Sequence, residues 1–179
     1  MAGSDQVLGL AKRAYERGRV RRAALAVAPL ALVVFTAAML GSRPTTACLL
    51  GCLLLPSSAA LLWRGQALGR AVMPAVLAGL IPLGLALAAK AYGHVCTGDE
   101  CVSLCMPACT TGGLIAGGVL AWLFRRGRLP RSALLAGGGV ALLTGALGCS
   151  CAGYGGVLGL LGGLLVFVVP TALRATPRA

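Results

Sequence analysis

The sequence predicts an all-α polytopic membrane protein, a bundle of six transmembrane helices with both termini in the cytoplasm. Hydrophobic residues make up 58% of the 179 residues and charged residues only 11%, whereas soluble domains are roughly 45–50% apolar and 25% charged. The apolar residues fall into six runs, each close to the length of about 20 residues that crosses a hydrocarbon core about 30 Å thick. The positions of the basic residues provide the third observation, because they set the orientation.

The predicted spans contain no Asp, Glu, Lys, Arg or His in their interiors. They are Ala23–Gly41, Thr46–Trp63, Ala71–Ala89, Met106–Phe124, Ser132–Gly148 and Gly153–Val169. The chain therefore divides into a basic cytoplasmic segment (1–22), a six-helix transmembrane domain (23–173) and a short cytoplasmic tail (174–179). A proton relay through the bilayer is not expected, since such relays require ionisable groups within the spans.

Catalytic groups are also sparse outside the spans. The chain has one histidine, His94, and two adjacent acids, Asp99 and Glu100, in the third connection. None of these three residues belongs to a recognisable nucleophile–base arrangement. We therefore predict that the protein is not an enzyme.

The net charge of +12 marks one face of the membrane. When the spans alternate in direction, all of the 16 basic residues except Arg43 and Lys90 fall on one side. The positive-inside rule assigns that side to the cytoplasm, which predicts a multi-pass protein of the bacterial inner membrane. The two largest basic clusters lack stacking aromatic residues, so direct nucleic-acid binding is not expected.

The amino-terminal segment is predicted to contain a short helix over Ser4–Arg17, with Ser4 or Asp5 as its N-cap. Small and apolar residues recur there at helical spacing, flanked by cations. The segment has three interpretations: a positive-inside anchor, a helix lying on an anionic leaflet, or a docking element for an acidic protein. The residues expected to meet a partner are Lys12, Arg13, Tyr15 and Arg17.

All eight cysteines fall on the side opposite the basic residues. They are Cys48, Cys52, Cys96, Cys101, Cys105, Cys109, Cys149 and Cys151. Disulfides persist outside the cytosol, so structural disulfides and redox or thiol sensing are both open interpretations. The sequence does not choose among the 105 ways of pairing eight cysteines.

Metal capture is a third interpretation of the cysteines, although no cofactor is certain. Cys101, Cys105 and Cys109 recur every four residues, which would place them on one face of a helix, with His94 and Met106 nearby. Soft thiolate and thioether ligands suit ions such as copper(I), zinc or mercury.

Glycines are concentrated in the later spans and predict close helix packing. Gly155, Gly159 and Gly163 recur every four residues, and such small-residue steps allow helix backbones to approach in lipid. We expect this face to pack within the chain; a homodimer face is the alternative, and the oligomeric state is unknown.

The arrangement of a basic cytoplasmic start, six compact helices, an R-R-G-x-x-P turn and outer cysteines resembles the bacterial integral-membrane anti-sigma factors. The resemblance is clearest over Cys105–Leu173, where the matching residues are Cys109, Arg125, Arg126, Gly127, Pro130 and Cys149. It implies that the cytoplasmic segment holds a sigma factor and that an outer cysteine pair senses heavy metal or oxidant. This chain departs from the family in its eight cysteines and its short cytoplasmic start.

The predicted function is accordingly that of an inner-membrane anti-sigma factor with outward-facing thiols. The alternative is a small heavy-metal uptake or tolerance protein of the mercury or copper type that uses the same thiols. A disulfide-stapled membrane protein with an assembly role is a third class.

Overall fold

Six helices, each long and apolar enough to cross a membrane, dominate the structure, a computed structural model. The residues described are 2–40, 44–97, 100–127, 130–149 and 153–174. The helices are α1 (Ala2–Leu40), α2 (Pro44–Arg64), α3 (Gln66–Tyr92), α4 (Cys105–Gly127), α5 (Arg131–Cys149) and α6 (Gly153–Arg174). Two strands, β1 (His94–Thr97) and β2 (Glu100–Ser103), lie between α3 and α4. The prediction of six apolar helices is confirmed.

The first helix is much longer than predicted. The expected short helix over Ser4–Arg17 and the span beginning at Ala23 form one helix of 39 residues, which begins before the predicted N-caps Ser4 and Asp5. At 1.5 Å per residue it is about 58 Å long, nearly twice the hydrocarbon thickness of about 30 Å. The junction is rich in Ala, Arg and Leu, which favour helix, and the first proline, Pro29, lies further along. The basic segment therefore continues the span as one rod.

The α4 and α6 helices pack with their backbones nearly in contact. A Cβ built on Gly113 would lie 2.5 Å from the carbonyl oxygen of Leu160, and one built on Gly117 would lie 2.9 Å from that of Leu164. Real Cβ atoms do not approach a backbone oxygen so closely, so only glycine fits. Such close approach increases the dispersion contacts that join helices in lipid.

The glycine stripe predicted on α6 contributes to this same interface. A Cβ on Gly163 would lie 2.7 Å from the carbonyl oxygen of Thr110, and one on Gly159 would lie 2.6 Å from the Thr110 hydroxyl. A Cβ on Gly155 would meet no atom within 4 Å. Packing within the chain is confirmed for two of the three glycines.

A buried proline joins α3 to both α4 and α5. Pro82 of α3 lies against Gly112 of α4 and Gly145 of α5, where added Cβ atoms would come within 2.7 Å and 2.8 Å of its atoms. A Cβ on Gly148 would likewise lie 2.9 Å from the Cα of Leu83. Helices α3 to α6 therefore form a tightly packed unit, which we call the four-helix core.

The α1–α2 hairpin packs beside this core through larger side chains. Gly51 of α2 lies against the side chain of Val34 of α1. Leu30 and Ala37 of α1 are buried with Leu54 of α2 in the main apolar cluster. Only 11% of the apolar window of α1 is buried, compared with 67% of that of α5. Most of α1 therefore faces outward.

The third connection, between α3 and α4, contains a small β-hairpin. β1 and β2 pair antiparallel, with His94 opposite Ser103 and Cys96 opposite Cys101. α3 stops just before it, at Gly93, which has a φ of 77° and donates its backbone N–H to the carbonyl of Ala89. Glycine adopts this left-handed conformation without steric cost, so it ends the helix.

The two ends of the bundle differ in chemistry. One, the basic end, carries the helix-terminal cations Arg64, Arg70, Arg125, Arg126, Arg131 and Arg174. The guanidinium of Arg19 lies beside Gly65, and that of Arg131 donates to the Leu173 carbonyl at 3.4 Å. At the opposite, cysteine end, Lys90 donates to the Leu40 carbonyl at 2.5 Å. Arg43, Arg128 and Arg178 lie outside the described residues.

Candidate functional site

One disulfide closes the four-helix core at the cysteine end. Cys109 lies in the second turn of α4 and Cys149 is the last residue of α5; their Cα atoms are 6.0 Å apart and 40 residues separate them in sequence. They meet because α4 begins and α5 ends at the same end of the bundle. A disulfide of this kind stabilises a fold typically by about 2–4 kcal/mol.

The sulfur atoms of this disulfide are shielded. Both Cys109 and Cys149 are 0% exposed, and they cluster with Ala86, Ala146 and Leu160. Reduction requires attack by a thiolate on a disulfide sulfur, so its rate depends on access. The packed bundle therefore protects this bond, and reagents reach it when the helix ends separate.

The thiols of Cys48 and Cys52 present the opposite situation. They lie one turn apart near the start of α2, and both side chains are exposed. Neither is bonded to another cysteine within the part of the chain that the structure describes. A neighbouring face of α2 carries the buried residues Ala47, Gly51 and Leu54, so the pair lies beside the face that packs on the bundle.

The remaining cysteines are spread over the β-hairpin and the start of α4. Cys96 and Cys101 are directly opposed in the strand register. Cys105 is the first residue of α4 and is partly exposed. Cys151 lies outside the described residues.

The helix face predicted for Cys101, Cys105 and Cys109 is not formed. Cys101 lies on β2, whereas the other two lie on α4, and the sulfur of Cys109 is bonded to Cys149. Helical geometry begins only at Cys105. A spacing of four residues across that point therefore does not place side chains on one helix face. Among the residues described, no group of three or more His, Cys, Asp or Glu side chains is placed to hold a metal ion.

The basic part of α1 exposes most of its side chains. All four residues expected to meet a partner, Lys12, Arg13, Tyr15 and Arg17, are exposed. Tyr15 is 70% exposed and Leu10 67%. Arg13, Glu16, Arg17, Val20 and Arg21 lie along one face of this helix. The helix thus offers cations and isolated apolar side chains on a surface that the bundle does not cover.

Two features of the site were missed in the sequence. The Gly98–Asp99 dipeptide between two four-residue segments is a signal for a β-hairpin, and it would have placed Cys96 opposite Cys101. The pairing of Cys109 with Cys149 carries no local signal, because it depends on how helices distant in sequence pack together.

Aromatic side chains mark both ends of the bundle. Trp63 and Trp122 lie near the basic end, each more than half exposed, and the Arg126 guanidinium stacks 4.5 Å from the centroid of the Trp122 ring. Tyr92 and Tyr154 lie at the cysteine end and are 82% and 89% exposed. Exposed Trp and Tyr at both ends of apolar helices are typical of membrane–water interfaces.

No protein-family model, curated protein or solved structure matches this chain.

Proposed function

We propose that this chain is a multi-pass regulator of the bacterial inner membrane, an anti-sigma factor whose outer thiols sense metal or redox stress and whose cytoplasmic helix holds a sigma factor. The observation that carries the proposal is the α1–α2 hairpin. It bears exposed thiols at one end, at Cys48 and Cys52, and exposed cations at the other, at Lys12, Arg13 and Arg17.

The proposed orientation places the basic end in the cytoplasm. Basic residues cluster at that end of the helices, and an excess of Lys and Arg near helix ends is the strongest determinant of membrane topology. Arg126 stacked on Trp122 forms an anchor of the kind found at headgroup level. The cysteine end then faces a compartment in which disulfides are stable.

The basic part of α1 is the proposed partner-binding element. Because α1 is about 58 Å long and the hydrocarbon about 30 Å thick, its first turns extend beyond the membrane. Their exposed cations favour an acidic surface, and charge complementarity mainly increases specificity and the rate of association. Tyr15 and Leu10, both exposed, supply the apolar contacts.

The proposed signal passes along α1 and α2. A change at the outer thiols alters how the hairpin packs, and the same rigid helix carries the partner-binding surface. Such coupling requires two states that bind the partner differently. The loosely buried hairpin is better suited to two arrangements than the four-helix core, where glycine contacts leave no spare volume.

Affinity capture of the full-length protein, solubilised from its native cells, tests the partner. We expect a sigma factor to copurify, and to be lost in the variant Lys12→Ala/Arg13→Ala/Arg17→Ala. The control Arg64→Ala/Arg70→Ala/Arg174→Ala also removes three exposed cations from the basic end and should retain the partner. If no sigma factor is recovered, with or without metal or oxidant, the anti-sigma proposal fails.

Heavy-metal uptake or tolerance is a second candidate, favoured by the exposure of Cys48 and Cys52. It requires cellular metal content to change with expression of the chain. It also requires that change to disappear when both cysteines are replaced by serine. Unchanged metal content on expression would remove this candidate.

A further inference from the structure

We propose that Cys48 and Cys52 form a binding site for a soft divalent cation of the mercury(II) type, held as a neutral two-coordinate bis-thiolate. The pair differs from the disulfide-bonded pair of the four-helix core. The sulfurs of Cys109 and Cys149 are bonded to each other and 0% exposed, so they cannot act as ligands. The sulfurs of Cys48 and Cys52 are unbonded within the described chain and exposed.

The spacing of the two residues fits a two-coordinate ion. Residues four apart on a helix have Cβ atoms about 5–6 Å apart. A metal–thiolate bond is about 2.3 Å long, as for zinc, so a linear sulfur–metal–sulfur unit spans about 4.6 Å. Small side-chain rotations bring the two sulfurs to that separation without unwinding α2. The buried side of α2, with Ala47 and Gly51, remains packed.

The charge balance fits the depth of the site. At 1.5 Å per residue, Cys48 lies about 6 Å and Cys52 about 12 Å from Pro44, where α2 begins. The predicted span begins at Thr46, so an ion held there lies about 3–9 Å inside it, where net charge is costly. Each thiol releases its proton to water, two sulfur–metal bonds form, and the two negative thiolates neutralise the divalent ion. No oxidant or reductant is needed.

The same reasoning disfavours other thiophilic ions. Zinc usually takes four ligands in structural sites and three in catalytic ones, and the described residues contain no group of three or more His, Cys, Asp or Glu placed around an ion. Copper(I) bound by two thiolates retains one negative charge, which an apolar surrounding penalises. A divalent ion that accepts two ligands satisfies both conditions.

The site also lies on the turn of α2 that contacts α1. Gly51, which packs against Val34, lies between the two cysteines in sequence and on a neighbouring face of the same turn. Binding therefore constrains the turn of α2 that touches α1. This consequence matters for signalling only if the proposed function holds, whereas the binding site itself does not depend on any partner.

Equilibrium dialysis of the full-length protein in lipid nanodiscs against mercury(II) chloride, with free cysteine as competitor, tests the site. We expect the variant Cys48→Ser/Cys52→Ser to hold one ion fewer per chain than the unmodified protein. Each single cysteine variant should weaken the binding of that ion by at least about 100-fold, because the second thiol no longer contributes its effective concentration. X-ray absorption should show two sulfur neighbours for that ion.

The matched control is Leu49→Ser/Leu53→Ser. Both leucines are exposed on α2 at the same one-turn spacing, and their replacement leaves the two thiols in place, so mercury binding should equal that of the unmodified protein. Equal binding by the double cysteine variant would overturn the proposal. So would one ion shared by two chains, or zinc retained through the same two residues. Because no sigma factor enters the measurement, its failure is separate from failure of the proposed function.

Discussion

The four-helix core and the α1–α2 hairpin use different means to pack helices. In the core, glycines bring backbones together, as where Gly113 meets Leu160, and a disulfide joins Cys109 to Cys149. In the hairpin, Gly51 meets the methyl groups of Val34, and only 11% of the apolar window of α1 is buried. A helix held by few buried contacts can shift more easily than helices held by close backbone contacts and a disulfide. Resistance to change is therefore concentrated in the core, and the exposed thiols and cations belong to the less tightly held hairpin.

Loss of the disulfide should have the largest effect on stability. We expect Cys149→Ser to lower the free energy of unfolding by about 2–4 kcal/mol, since the open chain gains conformational freedom. Thermal unfolding in detergent measures the change. Cys48→Ser, at an exposed and unbonded position of the hairpin, is the control and should leave stability within about 0.5 kcal/mol. Equal losses in the two variants would contradict the division into core and hairpin.

Filling the α4–α6 contact should be the next most damaging change. A Cβ at Gly163 would lie 2.7 Å from the Thr110 carbonyl oxygen and 2.8 Å from the Leu114 nitrogen. We expect Gly163→Leu to cost about 1–3 kcal/mol, because overpacking forces backbone shifts. Its neighbour provides the comparison, since a Cβ on Gly162 meets nothing within 4 Å. Gly162→Leu should unfold at the same temperature as the unmodified protein, and a shared loss would refute the interface.

A similar substitution in the hairpin should be much milder. A Cβ added at Gly51 meets only the methyl groups of Val34. Val34 is β-branched and stiff, but α1 has few buried contacts and can shift to make room, and alanine also favours helix by about 1 kcal/mol over glycine. We expect the two effects of Gly51→Ala nearly to cancel, with a change below about 1 kcal/mol. Gly148→Ala in the core, against the backbone of Leu83, should cost more in the same unfolding assay. The reverse order would mean that the hairpin is the more rigid region.

The smallest expected effect is at the basic end of the core. The Arg131 guanidinium donates to the Leu173 carbonyl, one of the carbonyls that a helix end leaves without an internal partner. Because this hydrogen bond is exposed and 3.4 Å long, Arg131→Gln should change the free energy of unfolding by less than about 0.5 kcal/mol. Hydrogen exchange should show faster exchange in the last turn of α6 and no change in α1. Faster exchange in α1 would indicate that the two regions are coupled there.

The spans could be predicted from sequence because their signal is local. A run such as that ending at Val169 is apolar throughout, and Arg125, Arg126 and Arg131 mark where one helix ends and the next begins. The ends of the helices were less predictable. An apolar run indicates where the hydrocarbon ends, but a helix continues until a residue such as glycine ends it, so α3 continues to Tyr92. The continuity of α1 was missed for the same reason.

The candidate site was only partly predictable. The sequence indicates that the cysteines lie on one side of the membrane, because this prediction needs only the number of spans between them. It does not indicate that Cys109 is bonded to Cys149 or that Cys48 and Cys52 are exposed. These differences arise from the rotation of each helix about its axis. That rotation is determined by contacts, many of them at glycines, between helices that are distant in sequence. Cysteines at the same end of the bundle therefore acquire different chemical properties.

Because α1 is long, a small rotation at one end of this helix produces a large displacement at the other. The helix is about 58 Å long, and its helical geometry continues from Tyr15 through Pro29 to Leu40. A tilt of about 5° about its Leu40 end would move the far end sideways by about 5 Å, the length of a helical turn. If α1 holds a partner as proposed, a displacement of that size would move a side chain out of the partner's pocket. A small change in packing at one end of α1 would then become a large displacement at the other end.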